Sequence, residues 1–178
     1  MHHPIYTHSS ASIWSCPWFA VREDTVVLPD GKKTKYWYTE KPDSVFIVPV
    51  TQKKEIVLIR TYRYPMKKWF WEVPAGYQKA GKSPEESARE ELREEIGGVA
   101  GNWQFLGQYC PNGGFIRSFT HIFLATNVVL GQSEHEPEEQ IEVHPTPIER
   151  ALEMVWNGEI SSSQSALALL LCGQQLKN

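Results

Sequence analysis

The segment that most narrows the folds open to this chain is residues 83–98, SPEESAREELREEIGG. Ser83 is a good helix N-cap, Pro84 suits the first helical position, and Glu86 completes a Ser-x-x-Glu capping box. Ala88, Leu92 and Ile96 recur every four residues and draw one apolar stripe along the predicted helix. Gly97 and Gly98 supply its stop. One face therefore seeks a core, while the rest carries an excess of charge. Residues 85–95 hold six glutamates and only two arginines, Arg89 and Arg93. Glu91, Glu94 and Glu95 lie at spacings of three and four, so they share a face and repel. They also occupy the C-terminal half, where the helix dipole disfavours negative charge. A divalent cation relieves this, because hard cations take carboxylate oxygens. The plainer reading of such a face is a solvated acidic surface. Against it stands the tendency of locally unfavourable placements to gather at functional sites.

Strand signals surround this helix. Residues 18–22, 25–28 and 35–39 read as strands, with Pro29-Asp30-Gly31 as a turn. Residues 44–51 and 55–60 are apolar and β-branched, as buried strands are. Residues 69–73 form a short aromatic strand stopped by Pro74, and residues 75–83 form a loop. Residues 103–109, 121–129 and 141–143 are further strands, and residues 147–156 and 163–176 are helices. Pro111 to Gly114 is a loop, and residues 131–140, GQSEHEPEEQ, form an acidic loop. The N-terminal residues before 12, with His2, His3 and His8, read as a frayed tail. This alternation implies an α/β (α+β) fold in which helices cover a mixed sheet.

Composition excludes several function classes. A net charge of −3 offers no basic footprint for nucleic acid or for an anionic membrane surface. The longest apolar run, Ala166 to Cys172, is far too short to span a bilayer, and the N-terminus lacks a signal-peptide pattern. Cys16, Cys110 and Cys172 are odd in number and widely spaced, which fits a reducing, cytoplasmic setting better than a disulfide framework or a zinc site. Seven tryptophans are many for 178 residues, and beyond core packing some are available for a ligand or an interface.

Residues 76–98 resemble a Nudix box, G-x5-E-x7-R-E-U-x-E-E-x-G-U with U apolar. Gly76, Glu91, Leu92, Glu94, Glu95 and Gly97 match it. Lys82, Glu90 and Gly98 depart from it, the first two as a charge swap that predicts a reversed ion pair. Outside the box, Leu28-Pro29-Asp30-Gly31, Arg63-Tyr64-Pro65 and Glu72-Val73-Pro74-Ala75-Gly76 are similar to segments of ADP-ribose pyrophosphatases. So are Pro17-Trp18-Phe19, residues 40–44 and Gly158-Glu159-Ile160.

The resemblance implies a Nudix α/β/α sandwich over residues 44–178. It also implies a small N-terminal antiparallel strand subdomain, residues 1–43, that serves dimerisation and base binding. It implies Mg²⁺, with Mn²⁺ as a substitute, held by Glu91, Glu95, Glu94 and the carbonyl of Ala75. Glu94 and Glu95 are then catalytic, together with a base from the acidic loop: Glu139, then Glu138, with Glu134 and Glu136 also present. Arg63 is expected at the phosphate or terminal ribose, Glu72 and Arg60 are further residues expected at the ligand, and Trp37 and Trp18 are expected at the base. In the Pro111 loop relatives often carry a glutamate that is missing here, and Arg117 is placed to grip a phosphate instead. The implied reaction splits ADP-ribose or a related nucleoside diphosphate sugar into two monophosphates, in a homodimer. The departures keep an alternative open, a Nudix-fold protein that binds a nucleotide sugar without turnover. A hydrolase of another pyrophosphate, such as a dinucleoside compound, is a third reading.

Overall fold

The computed structural model describes residues 4–134 and 140–176. It contains a seven-stranded and a four-stranded sheet, and the chain divides into two compact units. One unit comprises the residues up to Asp43 together with Cys110–Phe119, and the other comprises Ser44–Tyr109 and the chain from Thr120 onward.

The larger unit is built on β4 (Ser44–Thr51), β5 (Glu55–Arg63), β6 (Lys68–Glu72), β7 (Ala75–Tyr77), β8 (Asn102–Tyr109), β10 (Thr120–Val128) and β11 (Ile141–Pro147). Its main path runs β11-β5-β4-β10-β8, with β6 paired to β5 and β7 to β4. The pairing of β10 with β4 is parallel and the other pairings are antiparallel, so the sheet is mixed. Strand alternation sends side chains to two separate cores. Val45, Ile47, Val57, Ile59, Phe123 and Ala125 pack on one face with Ala88, Leu92 and Ile96 of α1 (Pro84–Ile96). Val48, Val50, Ile56, Leu58, Ile122 and Leu124 pack on the other with α2 (Ile148–Trp156) and α3 (Ser163–Gln175), through Ala151, Met154, Ala168, Leu169 and Cys172. The result is the α/β/α sandwich expected from the sequence. Burial pushes the Cys172 thiol up to about 12, which keeps it protonated and inert inside this second core.

Helix α1 begins and ends as its sequence dictates. Ser83 Oγ accepts from the Glu86 N–H at 3.2 Å, and Glu86 Oε2 accepts from the Ser83 N–H at 2.7 Å. At the other end Gly97 takes the left-handed conformation, φ 61°, and its N–H bonds the Arg93 carbonyl at 2.9 Å. A side chain at Gly97 would also strike the backbone of Gly131, so the helix end and the chain following β10 meet backbone to backbone.

The smaller unit is a sheet ordered β1-β2-β3-β9, from β1 (Tyr6–Ser15), β2 (Ala20–Val27), β3 (Lys33–Glu40) and the short β9 (Ile116–Arg117). Two expectations change here. The segment read as a frayed tail forms β1, because the edge of β2 satisfies its backbone along Tyr6 to Ser15. Residues 20–27 form one strand, through the polar run Arg22-Glu23-Asp24, where the sequence reads as two, residues 18–22 and 25–28. Cross-strand partners hold that run: Arg22 donates to Ser10 Oγ at 2.6 Å, and Glu23 accepts from Lys35 at 2.6 Å and from Trp37 at 2.9 Å. In the larger unit β5 runs three residues beyond Arg60, and β11 continues through Pro145 to Pro147 because β5 pairs with it along that whole length.

Candidate active site

The acidic helix meets the end of the β6–β7 connection. Glu95 is buried, and its Oε2 accepts from the Ala75 N–H at 2.9 Å, which answers part of the cost of burying a carboxylate. Glu91 lies against Gly76 so closely that a Cβ at position 76 would overlap its carboxylate. No residue but glycine leaves that carboxylate in place, a physical reason for glycine at the first position of the box. Ala75, Gly76, Glu91 and Glu95 thus lie together at this juncture.

Glu94 is held differently. The Lys79 ammonium donates to both of its oxygens, at 2.9 and 2.7 Å, and lies 3.2 Å from Glu90 Oε2 and 3.8 Å from Glu91 Oε1. Burial alone would lower the Lys79 pKa, yet hydrogen bonds to Glu94 and Glu90 outweigh it and hold the ammonium above its ordinary value. Lys82 and Glu90 form the reversed ion pair expected from the charge swap. The Lys82 hydrogen bond, followed by that of Lys79, keeps the Glu90 carboxyl below its usual range. A Cβ at Gly98, where the box has an apolar residue, would press on the Leu92 and Ile96 side chains at 2.9 to 3.2 Å.

Lys79 was not among the residues chosen from sequence. The available signal was the charge excess itself: six glutamates against two arginines on one helix require a cation from outside it, and the preceding loop carries Lys79 and Lys82. Among the described residues, no three His, Cys, Asp or Glu side chains converge closely enough to hold a metal as they stand. The donor set nonetheless fits a hard cation. Glu91, Glu94 and Glu95 share one helix face by their spacing, and the Lys79 ammonium stands between Glu91 and Glu94 as a positive charge.

Arg63 and Glu72 lie on the α1 face of the sheet, since Glu72 pairs with Ile59 across β5 and β6. They grip one another: the Arg63 guanidinium donates to both Glu72 oxygens, and the Glu72 side chain is only 7% exposed. Arg60 projects to the opposite face. There it stacks on Trp69 and Trp71 at 5.2 and 5.8 Å and pairs with Glu142 at 3.4 Å. In the smaller unit Trp18 and Trp37 are both more than half exposed, at 62% and 52%. Arg117 pairs with Glu40 at 3.2 Å and, with Tyr36, Tyr38 and Phe115, lines a cavity of about 240 Å³.

Glu136, Glu138 and Glu139 lie outside the described residues. Their approach is described: the Glu134 N–H donates to the Glu94 carbonyl at 2.8 Å, and Arg93 pairs with Glu134 at 3.1 Å. The chain therefore enters the acidic segment tied to the last turn of α1.

Residues 40–164 match the NUDIX domain family, and residues 7–38 match the nucleoside diphosphate sugar hydrolase N-terminal domain. An ADP-ribose pyrophosphatase of Bacillus subtilis (strain 168) is 30% identical over 148 residues, covering 82% of this chain and 80% of its own. An ADP-ribose pyrophosphatase of Mycobacterium tuberculosis is 32% identical over 171 residues, covering 94% of this chain and 83% of its own. The crystal structure of an ADP compounds hydrolase superposes with a TM-score of 0.87 at 21% identity, over 98% of this chain and 95% of that one, and shares the fold. Among the described residues, no helix is long and apolar enough to cross a membrane.

Proposed function

The chain belongs to the Nudix family, and on that premise we propose that it hydrolyses the pyrophosphate of ADP-ribose or a related nucleoside diphosphate sugar to two monophosphates. The relatives named ADP-ribose pyrophosphatase support the substrate class, and so does the match of residues 7–38 to a nucleoside diphosphate sugar hydrolase domain. The single structural observation that carries the reading is the juncture of strand and helix, where Ala75 and Gly76 lie directly against the carboxylates of Glu95 and Glu91.

Nudix hydrolases depend on divalent metal, and Mg²⁺, with Mn²⁺ as a substitute, is the proposed ion. Glu91, Glu95 and Glu94, with the carbonyl of Ala75, are the residues to hold it. When bound, it neutralises the diphosphate and makes a water more acidic. The chain's own residues do the rest. Glu95 is fixed by the Ala75 N–H, so its carboxylate stays aimed without reorganising. Glu139, or else Glu138, is proposed to take the proton of the attacking water. The anchor of Glu134 on Glu94 supports this, because it starts the acidic segment beside the helix. Arg63, oriented by Glu72, is proposed to bind phosphate or the terminal ribose, with Arg60 and Arg117 as further anion-binding candidates. Trp37 and Trp18 are proposed to stack on the base, since both present exposed rings. Residues 1–43 are proposed as the dimerising and base-binding domain of a cytoplasmic homodimer.

A substrate panel of ADP-ribose, other nucleoside diphosphate sugars and dinucleoside polyphosphates, each with Mg²⁺ and with Mn²⁺, tests this. ADP-ribose is expected to give AMP and ribose phosphate. Glu95→Gln is expected to lower kcat by roughly 10²- to 10³-fold. Measurable binding of nucleotide sugars without product from any of them would decide for a sensor.

A further inference from the structure

The structure assigns Lys79 the role of a resident cation, whose ammonium takes the place of one divalent ion among Glu90, Glu91 and Glu94. The inference rests on the metal-dependent reading of the box helix and concerns how that helix is charged. An ordinary surface lysine meets one carboxylate. This one reaches three within 3.8 Å and engages both oxygens of Glu94.

Its position is also built rather than incidental. The Lys79 N–H donates to Ser87 Oγ at 3.0 Å, and Ser87 is itself fully buried in the helix. The Lys79 carbonyl accepts from the Lys82 N–H at 3.1 Å, and Gln78 Nε2 donates to the Lys82 carbonyl at 2.9 Å. The loop is therefore closed on itself and pinned to α1 at the base of the Lys79 side chain. The same closure sets Lys82 on Glu90, so two lysines answer the three carboxylates of Glu90, Glu91 and Glu94.

A divalent ion bound to Glu94 would share that carboxylate with an ammonium 2.7 to 2.9 Å from its oxygens, and like charges on one carboxylate repel. Glu95 is on the other side of this balance. Its Oε2 accepts from the Ala75 N–H at 2.9 Å. Lys79 thus meets the charge of Glu90 and Glu94 most closely, while Glu95 is engaged by the strand at Ala75 and Glu91 lies against Gly76. Lys79 consequently lowers the number of divalent ions the chain takes.

Counting bound Mn²⁺ tests the proposal, using the paramagnetic resonance of free Mn²⁺ during titration of the full chain without nucleotide. Lys79→Gln removes the charge at similar length, Lys79→Met does so with a different side chain, and Lys79→Arg keeps it. Both neutral variants are expected to take one Mn²⁺ more per chain than the unsubstituted protein, and Lys79→Arg the same number. Equal numbers in all four proteins would overturn the proposal. If Glu95→Gln then abolished Mn²⁺ uptake by the otherwise unsubstituted chain, the functional reading would stand and only the role of Lys79 would fall. If no form bound Mn²⁺, both would fall.

Discussion

At the scale of single residues, the exchange of charge between Lys82 and Glu90 shows how a departure from a family pattern can keep its mechanics. The pair closes the loop onto the helix with the signs reversed. Lys82→Glu sets two carboxylates against each other and is expected to lower the melting temperature. The double variant Lys82→Glu with Glu90→Arg restores opposite charges and is expected to recover most of the loss. A double-mutant cycle on thermal unfolding measures the coupling directly, and independence of the two sites would dismiss the pair as ornamental. This partnership was legible in the sequence because both positions belong to one spacing rule. Lys79 was not, because nothing in its local sequence says which carboxylates a loop side chain will reach. Arg63 and Glu72 fall between these cases. Their importance was visible, but their bond was not: the β5–β6 register puts both on one face, Arg63 opposite Lys68 and Glu72 opposite Ile59, and the long guanidinium side chain spans the residues between. Arg60, three residues earlier in the same strand, goes to the other face by strand alternation.

At the scale of elements, the site depends on how closely β7 approaches α1. Gly76→Ala would drive a methyl group into the Glu91 carboxylate, and the neighbour it strikes is the candidate metal ligand. The expected result is a protein that folds, since Gly76 is at the sheet margin, yet has metal affinity and kcat reduced by at least about tenfold. Isothermal titration with Mn²⁺ beside the circular dichroism spectrum separates the two effects. Behind the same connection, the buried Ser165 of α3 accepts from the Val73 N–H at 3.2 Å through its hydroxyl. Ser165→Ala leaves that N–H without its partner inside the core. Unfolding in urea should then show a loss of about 1–3 kcal/mol, the cost of a buried unsatisfied donor. Helix α1 was readable end to end because its cap, stripe and glycine stop are local. Strand β1 was not readable, because Tyr6 to Ser15 is mostly small and polar and lacks the alternation that marks a half-buried strand. It is a strand only because β2 presents an unpaired edge to it.

At the scale of the whole molecule, β1 bears on the assembly. All ten of its residues are exposed, so within a single chain it buries no side chain and covers little else. Tyr6, Ile13 and Trp14 stand at 54–60% exposure along it, and Trp18 and Trp37 of the same unit are exposed as well. A long edge strand with bare aromatic groups invites pairing with another chain, and soluble proteins rarely leave such a surface uncovered. The small net charge of −3 offers little repulsion between copies. A second copy of this chain is the expected partner, in line with the homodimer proposed above. Sedimentation equilibrium should therefore report twice the 20.4 kDa chain mass at micromolar concentration. Replacing Ile13 and Trp14 together by Glu places charge where the apolar side chains were, without touching either core of the larger unit. That variant should sediment as a folded monomer. A protein that was already monomeric before substitution would leave β1 without a partner in this account. The base-binding role given to residues 1–43 would then have to be met within one chain.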